Sequence, residues 1–173
     1  MTEFVLAGGC FWCLDSSYSQ FKGIIDVECG YAGGHTTNPT YEEVCSEKTG
    51  HAEVAKVIFD ESVISAEVVL DLYFTVHDPR QLNRQGNDIG SSYRSAMFYQ
   101  GEEQKELFER ALERAATMWD GEIVTTLQPL EIFWPAEDYH QDYFTNNPGN
   151  AYCQTVVNGK MAKTRSAFTA YLK

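Results

Sequence analysis

Positive charge is what this sequence has least of. Thirteen lysines and arginines stand against twenty-five aspartates and glutamates, a formal net charge of -12. With no basic surplus to neutralise phosphates, nucleic acid and anionic membrane are not expected partners. Long apolar runs are absent too, and none approaches the length of a membrane span. Met1-Thr2-Glu3-Phe4 carries no positive segment and no long apolar stretch follows it, so no secretory signal is read and the expected address is the cytoplasm. No internal repeat, low-complexity segment or linker interrupts the 173 residues, which read as one domain from 1 to 173. Hydrophobic residues at 43% and charged ones at 22% describe an ordinary globular chain. Five cysteines, an odd number, fit thiol chemistry in a reducing compartment better than a structural disulfide framework.

What is present is concentrated at one junction, Gly8-Gly9-Cys10-Phe11-Trp12-Cys13. Phe4 to Ala7 are apolar and β-compatible, Gly8 and Gly9 break the strand, and from Cys10 onward Leu14, Tyr18 and Phe21 recur with helical spacing. Cys10 therefore falls at a helix N-terminus, where the dipole favours a thiolate by ~0.3–1 kcal/mol. That alone leaves mostly thiol at neutral pH. The glycines allow close approach of backbone or substrate, and Phe11 and Trp12 offer flat apolar faces beside the sulfur. Cys13 lies on the same helical face as Cys10, with Cβ atoms roughly 5–6 Å apart, so modest relaxation of the first turn would let them bridge. Buried structural cysteines are the plain alternative.

Further along, Gly23 to Tyr31 reads as a strand in which Ile25, Val27 and Cys29 alternate with Asp26 and Glu28. A polar loop holds Asn38-Pro39-Thr40-Tyr41, residues 42–50 have no clear period, and Glu53 to Phe59 is a second such strand. Ser65 caps a helix to about His77, with Val68, Val69, Leu72, Tyr73 and Val76 facing inward. The loop from there to Ser92 is long enough to suspect function. Tyr93 to Tyr99 alternates as a strand, and Leu107, Phe108, Ala111, Leu112, Ala115 and Trp119 mark an amphipathic helix ended by Asp120-Gly121. Residues 123–133 suit an edge or bulged strand because of Pro129, and 136–144 a short helix carrying His140. The tail from Tyr152, with Cys153, is weakly patterned. Interleaved strands and helices of this kind suggest a sheet covered by a layer of helices.

Glu53, at a strand start after Gly50-His51-Ala52, becomes a proton donor if partial burial raises its pKa. Solvent exposure is its plain alternative. Three rival readings concern the cysteines. Zinc would need Cys10 and Cys13 with His51 or Cys45, but Cys29 and Cys45 lack ligand spacing. A thioredoxin-like dithiol oxidoreductase also uses Cys-x-x-Cys at a helix start, usually with an aromatic residue before the first cysteine, where this chain has Gly9. A binding module built on the aromatic patch leaves the cysteines unexplained.

Gly9-Cys10-Phe11-Trp12, Gly30-Tyr31-Ala32-Gly33-Gly34, Asn38-Pro39-Thr40-Tyr41, Thr49-Gly50-His51-Ala52-Glu53, His77-Asp78-Pro79, Gln85-Gly86-Asn87-Asp88, Ser92-Tyr93-Arg94-Ser95 and Tyr139-His140-Gln141 together resemble the methionine sulfoxide reductase A family, in the family's order and across nearly the whole chain. The resemblance implies an α+β fold, a two-layer α/β sandwich with a mixed sheet and a ferredoxin-like core. It implies reduction of the S epimer of methionine sulfoxide, free or in oxidised proteins, with no metal and no cofactor, and a monomer is expected. Carried over, Cys10 is the nucleophile that becomes a sulfenic acid, and Phe11 and Trp12 hold the substrate methyl group. Glu53 donates to the sulfoxide oxygen, Tyr41 and Tyr93 bind it, and Asp88 orders polar contacts nearby. Thioredoxin or a similar dithiol then reduces an intramolecular disulfide. The chain departs from the commonest pattern at Cys13, where glycine is frequent, so both Cys13 and Cys153 are candidate resolving residues. Cys29 and Cys45 are read as bystanders.

Overall fold

The computed structural model describes Met1 to Lys173. Its elements are β1 (Thr2–Gly8), α1 (Phe11–Tyr18), β2 (Ile24–Ala32), α2 (Tyr41–Cys45), β3 (Ala52–Phe59), α3 (Ala66–Val76), β4 (Arg84–Gln85), β5 (Asp88–Ile89), β6 (Ser95–Tyr99), α4 (Glu102–Met118), β7 (Thr126–Pro129), β8 (Trp134–Pro135), α5 (Tyr143–Asn146) and α6 (Asn158–Ala167). Strands β1, β2, β3 and β6 with crossovers α1 and α3 make a βαββαβ unit, the ferredoxin-like core, in the order β6-β1-β3-β2. Those neighbours are antiparallel. After α4 the chain adds β7 parallel to β6 at one edge, which makes the sheet mixed, and β8 joins the other edge beside β2. No helix is long and apolar enough to cross a membrane.

The consecutive apolar run Phe4-Val5-Leu6-Ala7 is explained by two buried faces. Phe4 and Leu6 enter the main core with Leu14 and Tyr18 of α1, Leu70 and Phe74 of α3 and Phe108 of α4. Val5 and Ala7 face the other way, among Ala32, Ala52, Val54, Ala96 and Phe98. No helix packs there, and Leu130 and Phe133 from the β7–β8 connection cover it.

Three expectations need correction. In β2 it is Ile24 that is buried and Ile25 that is exposed, because the pairing with β3 shifts register between Ile24 and Asp26 and the bulge flips the alternation. Tyr93 ends a 3-10 turn, Ser91–Tyr93, and the strand begins only at Ser95. Residues 136–144 are not one helix: a 3-10 turn at Asp138–His140 is separated from α5 by Asp142 in the left-handed conformation, φ 53°. The weakly patterned tail is helical, with a π-helical stretch at Cys153–Val157 running into α6.

A buried polar network sets the end of β1, where the Gly8-Gly9-Cys10 turn leaves the sheet. The Tyr73 hydroxyl donates to the Ala7 carbonyl at 2.7 Å. His77 Nδ1 meets the Tyr73 carbonyl at 2.6 Å, so Nδ1 carries the proton and Nε2 is free to accept from Ser95 Oγ at 2.7 Å. Burial holds this imidazole neutral, its pKa pushed down to about 3. Gly9 then turns the chain at φ 87°, with the side chain of Gln85 directly over its Cα hydrogen. A Cβ there would lie 2.7 Å from Gln85 Cγ. Gly9→Ala should therefore destabilise the protein by about 1–3 kcal/mol, visible as a lower thermal midpoint. Gly149→Ala, where a Cβ meets nothing within 4 Å, serves as the control and should be near neutral. Equal midpoints for the two variants would refute this account of the turn.

Candidate active site

Cys10 is the N-cap residue of α1, with extended backbone (φ -64°, ψ 128°), and its carbonyl accepts from the Cys13 amide at 3.1 Å. The first helical amide, Phe11 N–H, has no intrahelical acceptor and donates instead to Glu53 Oε1 at 3.1 Å. Glu53 stands at the start of β3 on the helix-covered face, 1% exposed, and its Oε2 has no partner within the protein. Burial raises its pKa to about 8 against the opposing Phe11 hydrogen bond, and the charges of Asp88 and Glu47 add to the rise. The carboxyl expected at a rim is thus fully enclosed and largely protonated at neutral pH.

Cys10 is 8% exposed. Desolvation, the hydrogen bond it donates to Cys13 and the neighbouring Glu53 hold it well above the ordinary thiol range. These outweigh the helix terminus, so the resting side chain is a thiol. Cys13 shows the opposite direction: the hydrogen bond from Cys10 lowers its pKa, opposed by burial and assisted by Lys160 and the Tyr152 hydroxyl.

Around this pair the aromatic residues converge. Phe11 is fully buried between Tyr31, Tyr41 and His140, at centroid separations of 5.7, 6.4 and 5.0 Å. Trp12 is half-buried, stacked on Tyr143 at 3.7 Å and 4°, with its indole N–H donating to His140 Nδ1 at 3.0 Å. Tyr41 begins α2, whose Thr40–Glu43 capping box fixes the entry angle. The Tyr41 and Tyr93 hydroxyls both hydrogen-bond the sulfur of Cys45, which lies exposed at the end of α2. Both phenols are raised by desolvation and by Glu53, and are firmly protonated donors. Asp88, half-buried on β5, accepts from the Tyr152 hydroxyl. Cys153 is fully buried in the π-helical turn beside Val157 and has Cys13 as a charge neighbour. Cys29 is buried beneath α1 near Asp15.

All nine side chains singled out from the sequence thus lie around one helix start, as does Cys45. Sequence reasoning missed those that hold them. Glu137 accepts from the Tyr31 hydroxyl at 2.8 Å and the Tyr41 amide at 2.9 Å. Glu47 accepts from the Ser92 amide and hydroxyl at 2.9 and 2.6 Å, fixing the turn that carries Tyr93. Asp15, raised by burial to about 7, accepts from the Asp142 amide at 2.9 Å and ties α1 to the segment bearing Tyr143. Nothing in local sequence distinguishes these carboxylates from solvated ones. No group of three or more His, Cys, Asp or Glu side chains is placed to hold a metal ion.

Comparison with known proteins agrees with this geometry. The family model described as peptide methionine sulfoxide reductase matches residues 2–171. A peptide methionine sulfoxide reductase MsrA of Clavibacter michiganensis is 54% identical over 173 residues, covering 100% of this chain and 99% of that protein. The MsrA of Saccharolobus solfataricus is 45% identical over 168 residues, 97% of this chain and 95% of that one. Among solved structures, the reduced form of Mxr1 from Saccharomyces cerevisiae superposes with a TM-score of 0.84 at 32% identity, covering 90% of each chain. The TM-score is 0.77 at 33% identity for methionine sulfoxide reductase A of Corynebacterium diphtheriae, over 84% of this chain and 74% of that one. With the thiol pair, the buried carboxyl and the aromatic wall at one helix start, and with relatives matching from end to end, the chain belongs to the peptide methionine sulfoxide reductase family.

Proposed function

We propose that Cys10 attacks the sulfur of (S)-methionine sulfoxide, free or within oxidised proteins, while Glu53 delivers a proton to the departing oxygen. The observation that carries this is the Glu53 carboxyl: buried, protonated at neutral pH, bonded to the amide next to Cys10 and with one oxygen unpartnered. Sulfoxide oxygen is a poor leaving group, so it must be protonated as its sulfur is attacked. Sulfoxide sulfur is partially positive, so its arrival beside Cys10 favours the thiolate, and ionisation belongs to the substrate-bound state. In balance, thiol and sulfoxide become sulfenic acid and thioether: oxygen passes from the methionine sulfur to Cys10, which is oxidised by two electrons. Phe11 and Trp12 take the methyl group, and the Tyr41 and Tyr93 hydroxyls bind the oxygen, with Asp88 ordering that side. An apolar group and an oxygen held by opposite walls of one site select one configuration at sulfur.

Cys13 is the better placed resolving residue. It already hydrogen-bonds Cys10 and is the thiol of lowered pKa, whereas Cys153 is raised. Attack of Cys13 on the sulfenic acid releases water and forms the Cys10–Cys13 disulfide, which a dithiol reduces. Yeast Mxr1 has been solved in complex with Trx2, which supports a thioredoxin as that partner here. All five cysteines are free, in keeping with a cytoplasmic address, and one chain supplies every residue of the site, in keeping with a monomer and one domain.

Dithiothreitol-driven assays with separated epimers of a peptide methionine sulfoxide should show turnover of the S epimer alone, lost in Cys10→Ser. Insulin disulfide reduction without sulfoxide turnover would instead favour a dithiol oxidoreductase. Glu53→Gln should lower activity by roughly 10²–10⁴, and wild-type activity should decline as pH rises through about 8. Because the folded pKa lies above the ordinary 4.5, native Glu53 keeps a proton that the unfolded chain loses. Its contribution to stability is therefore full below about 4.5 and is lost as pH rises to about 8. Denaturant titrations should show a flatter pH dependence for Glu53→Gln, and matching slopes would rule this assignment out. Cys13→Ser should form one equivalent of product and then stall with thioredoxin, while Cys153→Ser keeps cycling; the reverse pattern transfers the resolving role to Cys153.

A further inference from the structure

His140 is the one side chain that touches both walls of the site and has no part in the reaction as described. It ends the 3-10 turn Asp138–His140, a segment with no regular structure of its own to hold it. That segment is fastened to β2 by side chains imitating a strand. The Gln141 amide accepts from Cys29 N at 2.8 Å and donates to Cys29 O at 3.0 Å. One residue before the turn, Glu137 bridges Tyr31 and Tyr41. The position of the imidazole is thus set by the sheet.

The ring is fully buried, 4.4 Å from the Tyr41 ring, 5.0 Å from Phe11 and 5.8 Å from Trp12, centroid to centroid. Nδ1 accepts the Trp12 indole N–H, which requires the neutral tautomer with its proton on Nε2. Nε2 is buried and meets no acceptor. An unmade hydrogen bond in the interior is a standing cost. A phenyl ring of similar size would fill the space without it, so packing alone does not explain histidine here. What an imidazole offers and a phenyl ring lacks is the acceptor at Nδ1. That acceptor fixes the one polar edge of an indole whose face is already stacked on Tyr143.

We propose that His140 is a positioning residue for substrate: through Nδ1 it locks the Trp12 indole, and through its ring face it registers Phe11 and Tyr41, so that the methyl-binding wall and the oxygen-binding hydroxyl stand at a fixed separation. This rests on the reading of Phe11 and Trp12 as the methyl wall. The tautomer must stay neutral to accept. Burial lowers the imidazole pKa in that direction, against the carboxylates of Glu137 and Glu42, and the remaining titratable neighbours, Tyr41 and Tyr139, have raised pKa values.

The test separates ring from acceptor. His140→Phe keeps the stack and removes Nδ1, whereas His140→Asn keeps an oxygen close to the Nδ1 position and removes the ring. In dithiothreitol assays with an S-epimer peptide substrate, His140→Phe should raise KM about 10-fold, the scale of one hydrogen bond, with kcat changed less than about 3-fold. Its preference for a methyl over an ethyl sulfoxide should fall, and His140→Asn should recover that preference. Wild-type KM and methyl preference in a folded His140→Phe would overturn the proposal, as would a His140→Asn that folds yet discriminates no better than His140→Phe. Trp12→Ala separates this from the underlying reading. Unchanged KM there removes the methyl wall itself, and raised KM there with wild-type behaviour in His140→Phe removes only the role of His140. Should the variants not fold, amide-exchange NMR on 15N-tryptophan-labelled wild type decides. A slowly exchanging Trp12 indole proton that loses protection on acidification supports the bond, and rapid exchange at neutral pH overturns it.

Discussion

A helix that begins inside a protein must find acceptors for its first amides, and for α1 one of them is a side chain of the sheet below, the Glu53 carboxyl. Much of the site's chemistry follows from that joint. It holds the N-terminus of α1 over β3, so the Cys10 sulfur and the Glu53 carboxyl are brought together by one short contact rather than by two independent elements. It also buries the carboxyl, and burial keeps it protonated. The same interaction is thus structural in what it anchors and chemical in what it leaves: a second oxygen, unpartnered, next to a thiol.

A buried acid beside two thiols, with Asp88 and Glu47 near enough to matter, is electrostatically hostile to a thiolate, and the resting Cys10 is held protonated accordingly. The arrangement is consistent with chemistry in which charge develops only when a polar sulfur centre arrives. A helix terminus contributes a fraction of a pKa unit, and desolvation by burial is far larger. Cys13, one helical turn on and able to accept from Cys10, is displaced in the other direction by that same hydrogen bond.

Around this centre, irregular segments are made rigid by carboxylate and amide side chains that replace backbone partners. Glu137, Gln141, Glu47 and Asp15 each accept backbone amides across long sequence separations, and Tyr73 and His77 do equivalent work at the end of β1. A loop can thereby hold Tyr41, Tyr93 or His140 as firmly as a strand would, while keeping conformations a strand does not permit.

Periodicity and turn chemistry fixed a good deal in the one-dimensional pattern. The run Phe4 to Ala7 closed by two glycines, the helical spacing after Cys10 and the amphipathic stretch from Glu102 specify β1, α1 and α4, because each is decided by neighbours within a few residues. The Gly-Gly-Cys-x-x-Cys frame likewise announced thiol chemistry at a helix start. The bulge that exchanges Ile24 for Ile25, the extent of Glu53's burial and the broken helix around Asp142 were not legible, since each depends on a partner far along the chain. The same holds for Glu137, Glu47 and Asp15, which in sequence look like any solvated carboxylate. Sequence by itself determined which residues carry the chemistry and in which local conformation Cys10 would sit. Only the tertiary structure decided their protonation and their mutual placement, because desolvation and long-range hydrogen bonds exist only once distant segments have packed.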